Sequence, residues 1–192
     1  MKIAIILLAA AIEVLGSIPY MIDTVKGKTK PNIVSWFTWT LLTIIGGSAA
    51  WAAHEPRTAI LTYANAVSTG VIILLGLKYG LAKFDWFDGL CQAGAIIGLI
   101  LWLIFNSPTT AIVATVTIDL IASLPTIRHS WLSPEEETWQ TFFISGVGVT
   151  IGILALSQYN LNSLAYPAYL FFLDFFLALT VVISRTKNGH KA

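Results

Sequence analysis

The 192-residue chain is 56% hydrophobic and 11% charged, with a mean hydropathy of +0.78, which excludes an ordinary water-soluble domain and points to an integral membrane protein. Eleven Lys and Arg against ten Asp and Glu leave a net charge of +1, so the placement of the charges is more informative than their balance. The single cysteine, Cys91, has no intrachain partner and reads as a small buried hydrophobe.

A hydrocarbon core of about 30 Å takes about 20 apolar residues per helix. That ruler predicts seven spans, at 3–22, 33–52, 58–77, 88–105, 109–128, 140–157 and 164–184. The first eleven residues also have the outline of a signal peptide, one basic residue and then an apolar run. Cleavage there would remove half of a duplicated motif, so they are read as a retained helix.

The duplication joins the first span to the fifth. Ile12-Glu-Val-Leu-Gly-Ser-Ile-Pro19 matches Ile118-Asp-Leu-Ile-Ala-Ser-Leu-Pro125, with Glu13 on Asp119, Ser17 on Ser123 and Pro19 on Pro125, each 106 residues apart. Without a gap, the same offset places Phe37 on Phe143, Gly46 on Gly152 and Tyr63 on Tyr169. A parallel internal repeat follows.

After the first span comes a basic connection, Lys26-Gly-Lys-Thr-Lys-Pro31. Its repeat counterpart, Ser130 to Glu137, is acidic and reads as a solvated turn in which Ser133-Pro134 opens the next helix. Nine of the basic residues (Lys26, Lys28, Lys30, Lys78, Lys83, Arg128, Arg185, Lys187, Lys191) fall on one side of the predicted spans, and Lys2 and Arg57 on the other. The positive-inside rule then puts the N-terminus outside and the C-terminus in the cytoplasm of a multi-pass cell-membrane protein. Two parallel three-helix units need one extra crossing between them. The expected architecture is all-α, 3+1+3: a bundle over 1–80, a connector helix over 81–107, and a second bundle with a cytoplasmic tail over 108–192.

The prolines, the basic linker, the helix opening Ser35-Trp-Phe-Thr-Trp39, and Ala64-Asn65 in the third span together resemble the SWEET, SemiSWEET and PQ-loop superfamily of small membrane transporters. The glutamine that names the PQ motif is replaced by Tyr20 in the first repeat and Thr126 in the second. Phe171 stands opposite Asn65, so an asparagine pair is absent. What the resemblance implies is a solute carrier with a central pocket between two bundles, Asn65 contacting substrate, and Trp51 near the position of a second-helix tryptophan.

Three carboxylic acids, Glu13, Asp119 and Asp174, fall mid-span with no Lys or Arg at their depth. Such groups are costly in a membrane and usually face a cavity or a partner. Each is therefore neutral, hydrogen-bonded, hydrated or occupied by a cation. They are candidates for proton or cation coupling, while the alternative is a structural acid bonded across helices. Asp174 has Ser68 as its repeat counterpart, and such asymmetric positions make Asp174, Asn65 and Phe171 candidate substrate contacts, with Tyr63 and, from the resemblance, Trp51 beside them. Pro19 and Pro125 are either fixed bends or hinges. Trp36 and Trp39 read first as interfacial belt aromatics, with pocket lining the alternative, and Gly94/Gly98 and Gly148/Gly152 as small-residue pairs for helix packing.

His54 and His129 fall on opposite sides of the membrane and cannot share a metal site. No phosphate loop, nucleophile elbow or CxxC is present, so neither an enzyme nor a cofactor is expected. The expected partners are a small-molecule solute and the lipid bilayer, not nucleic acid, and no sequence feature sets an oligomeric state. The functional expectation is a carrier of a small polar solute by alternating access, coupled to a proton or cation. Its rival is a non-transporting receptor, lipid-interacting protein or accessory subunit on the same fold.

Overall fold

The computed structural model describes residues 2–52, 56–104, 108–154, 159 and 161–189, and among these it contains seven α-helices, one 3-10 turn and no strand. The helices are α1 (Lys2–Val25), α2 (Ile33–Ala52), α3 (Pro56–Tyr79), α4 (Trp86–Ile104), α5 (Pro108–Leu132), α6 (Trp139–Leu154) and α7 (Leu161–Gly189). All seven fall where the apolar runs place them, and local chemistry sets their ends. Gly27, at φ +68°, turns the chain out of α1 in the left-handed conformation that glycine adopts without penalty. Asn32 caps α2, its side-chain oxygen accepting from the Val34 and Ser35 amides at 3.0 and 3.4 Å. Asp85 does the same for the Phe87 and Asp88 amides, which starts α4 two residues ahead of the predicted 88.

In each repeat the third helix packs between the other two. α3 touches α1 and α2, and α7 touches α5 and α6, whereas the backbones of α1 and α2 stay apart, as do those of α5 and α6, among the described residues. The repeats join twice, through α1 on α6 and through α2 on α5. These two contacts are equivalent under the 106-residue offset, as a pseudo-two-fold arrangement requires. The six helices close a ring in the order α1, α3, α2, α5, α7, α6. α4 stands outside it, against α5 and α2.

Small residues set the closest approaches. A Cβ on Gly98 would lie 2.6 Å from Ile118 Cγ1, and one on Gly94 3.2 Å from Ile121 Cγ2, so this pair seats α4 on α5. A Cβ on Gly16 would lie 2.7 Å from Ile144 Cγ2, where α1 meets α6. Gly152 faces open space, so the Gly148/Gly152 pair packs through Gly148 alone.

The acidic stretch after α5 is not a plain solvated turn. Ser133-Pro134 opens a short 3-10 turn, Pro134–Glu136, and α6 starts only at Trp139. Lys30 and Glu136, repeat counterparts of opposite charge, form an ion pair, and the Lys30 amide donates to the Glu136 carbonyl at 2.9 Å. The basic and acidic connections thus bind each other across the pseudo-two-fold axis.

Two segments, Leu7–Val25 and Leu164–Lys187, are long and apolar enough to cross a membrane, and Ile33–Ser48, Trp86–Ile100 and Trp139–Leu154 are shorter apolar helices. Large apolar side chains also cover the outside of the ring, with Leu74 66% and Phe172 70% exposed.

Candidate functional site: a cavity inside the six-helix ring

A cavity of about 80 Å³ lies within the ring, and all six ring helices line it while α4 does not. Helical spacing explains the lining. Trp36, Trp39 and Thr43 come from one face of α2, and Asn65 and Thr69 from one face of α3. Thr141, Phe142, Ser145 and Val149 face inward from α6, and Tyr166, Leu170, Leu173 and Asp174 from α7. Glu13 of α1 and Asp119 of α5 complete the wall.

The two repeat-related acids sit in different surroundings. Asp119 is 1% exposed and accepts from the Tyr169 hydroxyl at 2.7 Å, the Tyr166 hydroxyl at 3.1 Å and, weakly, Ser123 Oγ at 3.4 Å. Donors from α7 therefore hold it in place, as suits an acid that ties α5 to its own bundle. Glu13 accepts one bond from the other repeat, from Ser145 Oγ of the neighbouring α6 at 3.2 Å. It comes that close because α6 carries Gly148 there, where a Cβ would lie 2.9 Å from Glu13 Oε1. Asp174 lies within electrostatic range of both Glu13 and Asp119, and among the described residues no group donates a hydrogen bond to it.

A second asymmetry involves the hydroxyls. Ser35 Oγ donates to the Ala122 carbonyl at 2.5 Å and latches α2 to α5. The hydroxyl of its repeat counterpart Thr141, 4% exposed, makes no hydrogen bond among the described residues, so the α6–α1 contact lacks that latch.

An aromatic floor closes the cavity on the side of the α1–α2 connection. Tyr20 packs against Trp36 and Phe142 with ring centroids 4.7 and 6.2 Å away, and Trp36 Nε1 donates to the Tyr20 hydroxyl oxygen at 3.2 Å. The Tyr20 hydroxyl in turn donates to Glu137 Oε2 at 3.0 Å. Glu137 is fully buried, and its other carboxyl oxygen has no partner. Arg185 lies nearby but spends its donors on backbone, the Pro134 carbonyl at 2.9 Å and the Glu137 carbonyl at 2.5 Å. Burial pushes the Glu137 carboxyl up to about 8, more than the Tyr20 bond pulls it down.

Of the residues singled out from the sequence, Glu13, Asn65, Asp119 and Asp174 meet at this cavity, and Tyr63, Phe171 and Trp51 do not. The Tyr63 hydroxyl pairs with Ser48 Oγ at 3.0 Å, and its ring lies over Gly47. Phe171 packs edge-on against Phe172 and Phe175, with centroids 5.2 and 5.0 Å away. Trp51 is 62% exposed. Trp36 and Trp39, read as belt aromatics, line the cavity instead, and Trp36 is only 4% exposed. Pro19 and Pro125 lie inside continuous helices, where each deprives the carbonyl four residues earlier of its donor. His54 lies outside the described residues, and His129 is half-buried beside Glu136. Glu137 escaped the sequence reading because it sits in a turn, where no helical periodicity marks an inward face.

Comparison of the chain with protein-family models, with curated proteins and with solved structures found no match.

Proposed function

We propose that the chain is a multi-pass membrane transporter that moves a small polar solute by alternating access between its two three-helix bundles. All seven helices cross the bilayer in this scheme, with the N-terminus outside and the tail beyond α7 in the cytoplasm. The observation that carries the proposal is the lining of the cavity: every helix of both repeats contributes to it, and the connector α4 does not. A binding site at a repeat interface is the arrangement by which rocking of one bundle against the other exposes a solute to each side in turn. The apolar outer surface and the acids that face the cavity support the same scheme. So does the likeness of the Ser35–Trp39 and Ala64-Asn65 stretches to the SWEET and PQ-loop carriers.

Within the cavity the acids take different roles. Asp119, held by two tyrosines, is scaffold. Asp174 and Glu13, with no donor and one donor among the described residues, are the groups free to exchange a proton or cation as the site changes sides. Pro19 and Pro125 act as hinges for the helix ends below the cavity. Solute uptake into proteoliposomes tests this directly. The scheme predicts that Glu13→Gln and Asp174→Asn abolish coupled uptake, and uptake unchanged in both variants removes these acids from the mechanism.

A further inference from the structure

We infer that the solute this cavity takes is a compact organic cation that presents N–H donors, a guanidinium or a primary ammonium group. The inference rests on the transporter reading of the same cavity and names its substrate class.

Charge gives the first reason. Glu13, Asp119 and Asp174 all line the cavity, and no Lys, Arg or His does among the described residues. An anionic solute would add to a site that is already acidic, and a neutral polyol would leave neighbouring carboxylates uncompensated in an apolar surround.

Hydrogen-bonding capacity gives the second. An ionised carboxylate offers about four lone-pair sites, and Asp174 has none of them filled by a described residue while Glu13 has one filled. The buried Thr141 hydroxyl also lines the cavity without a partner, although its repeat counterpart Ser35 is satisfied. The carboxylates therefore leave acceptors open, the Thr141 hydroxyl can accept or donate beside them, and the complementary solute is rich in donors.

Shape and walls narrow the class. The aromatic side chains of Trp36, Trp39 and Phe142 border the space, a setting that favours a weakly hydrated cation over a strongly hydrated one. A cavity of about 80 Å³ is smaller than the ~150 Å³ that admits benzene, so the bound group has only a handful of heavy atoms. Among the described residues no three His, Cys, Asp or Glu converge closely enough to hold a metal ion.

Guanidinium and urea share a planar frame and differ in charge, which makes them the discriminating pair. The full chain, purified in detergent at constant ionic strength, is titrated with millimolar guanidinium, methylammonium, urea, sucrose and sodium, and thermal stability and calorimetric binding are read. Guanidinium or methylammonium is expected to stabilise saturably, and urea, sucrose and sodium are not. Asp174→Asn is expected to weaken cation binding roughly 30-fold or more, as when one partner of a buried charge pair is removed. Thr141→Val, which retains the side-chain shape, should weaken it several-fold and serves if the aspartate variant does not fold. Equal binding of urea and guanidinium, or cation affinity unchanged in both variants, overturns the inference. If a neutral solute binds and is taken up while no cation binds, the substrate class is wrong and the transporter reading stands. If no solute of any class binds or moves, both fall.

Discussion

Glu137 should make the protein less stable as pH rises, and Glu137→Gln should remove that dependence. The carboxyl has an ordinary value of 4.5 and is pushed up to about 8 by burial beneath Tyr20. Between these two values the unfolded chain has released the proton and the folded chain has kept it. Stability from this group is therefore complete below about pH 4.5 and is lost as pH climbs through 8. At 1.36 kcal/mol per pH unit the loss is on the order of 2–3 kcal/mol between pH 5 and 7. Glutamine keeps an oxygen to accept from the Tyr20 hydroxyl, now at 3.0 Å, and carries no charge. Thermal unfolding of both proteins in one detergent, scanned at a fixed rate from pH 5 to 8, provides the assay. The wild type should lose several degrees across that window relative to the variant, and the variant should be the more stable at pH 8. Parallel curves for the two proteins would mean that Glu137 is solvated or paired in solution, and the reasoning from its burial would fail.

Gly148→Ala puts a methyl 2.9 Å from Glu13 Oε1 and 3.2 Å from Ile12 Cγ2. We expect it to cost about 1–3 kcal/mol by overpacking and to displace the Glu13 carboxyl, so that coupled uptake falls further than expression or melting temperature does. Uptake at the wild-type level would show that the Glu13 position is unimportant. Exchange of Lys30 and Glu136 tests the pseudo-two-fold contact between connections. Lys30→Glu or Glu136→Lys alone should destabilise by about 0.2–1 kcal/mol, a size discounted for solvent exposure, and the double exchange should recover most of it. An additive double variant, measured by thermal unfolding, would place the two side chains apart.

The seven helices were legible because long apolar runs need no tertiary information to be recognised. Their ends were less so: α5 runs to Leu132 against a predicted 128 and α7 to Gly189 against 184, and α4 begins at Trp86 because Asp85 caps it, a local bond that hydropathy does not register. Among the candidate site residues, the acids stood out because a charged group in an apolar helix is conspicuous in any context. The aromatics misled. Trp36 looks the same in sequence whether it faces lipid headgroups or Tyr20, and only the α2–α5 and α1–α6 contacts turn it inward. Tyr63 and Tyr169 share a repeat position yet differ in fate. Gly47 leaves room for the Tyr63 ring over α2, whereas the equivalent residue in α6 is Ile153, and Tyr169 reaches Asp119 instead. The repeat predicts which positions correspond; neighbours on other helices decide what each side chain does.

Two-sided labelling of a cysteine at Asn65 tests alternating access most directly. In a chain whose buried Cys91 is replaced by alanine, Asn65→Cys is exposed to a membrane-impermeant thiol reagent in right-side-out and in inside-out vesicles, with Val67→Cys, at a 66% exposed outer position, as control. The account predicts labelling of position 65 from each side in turn and of position 67 from neither. Labelling of position 65 from one side only, or from neither, would contradict it.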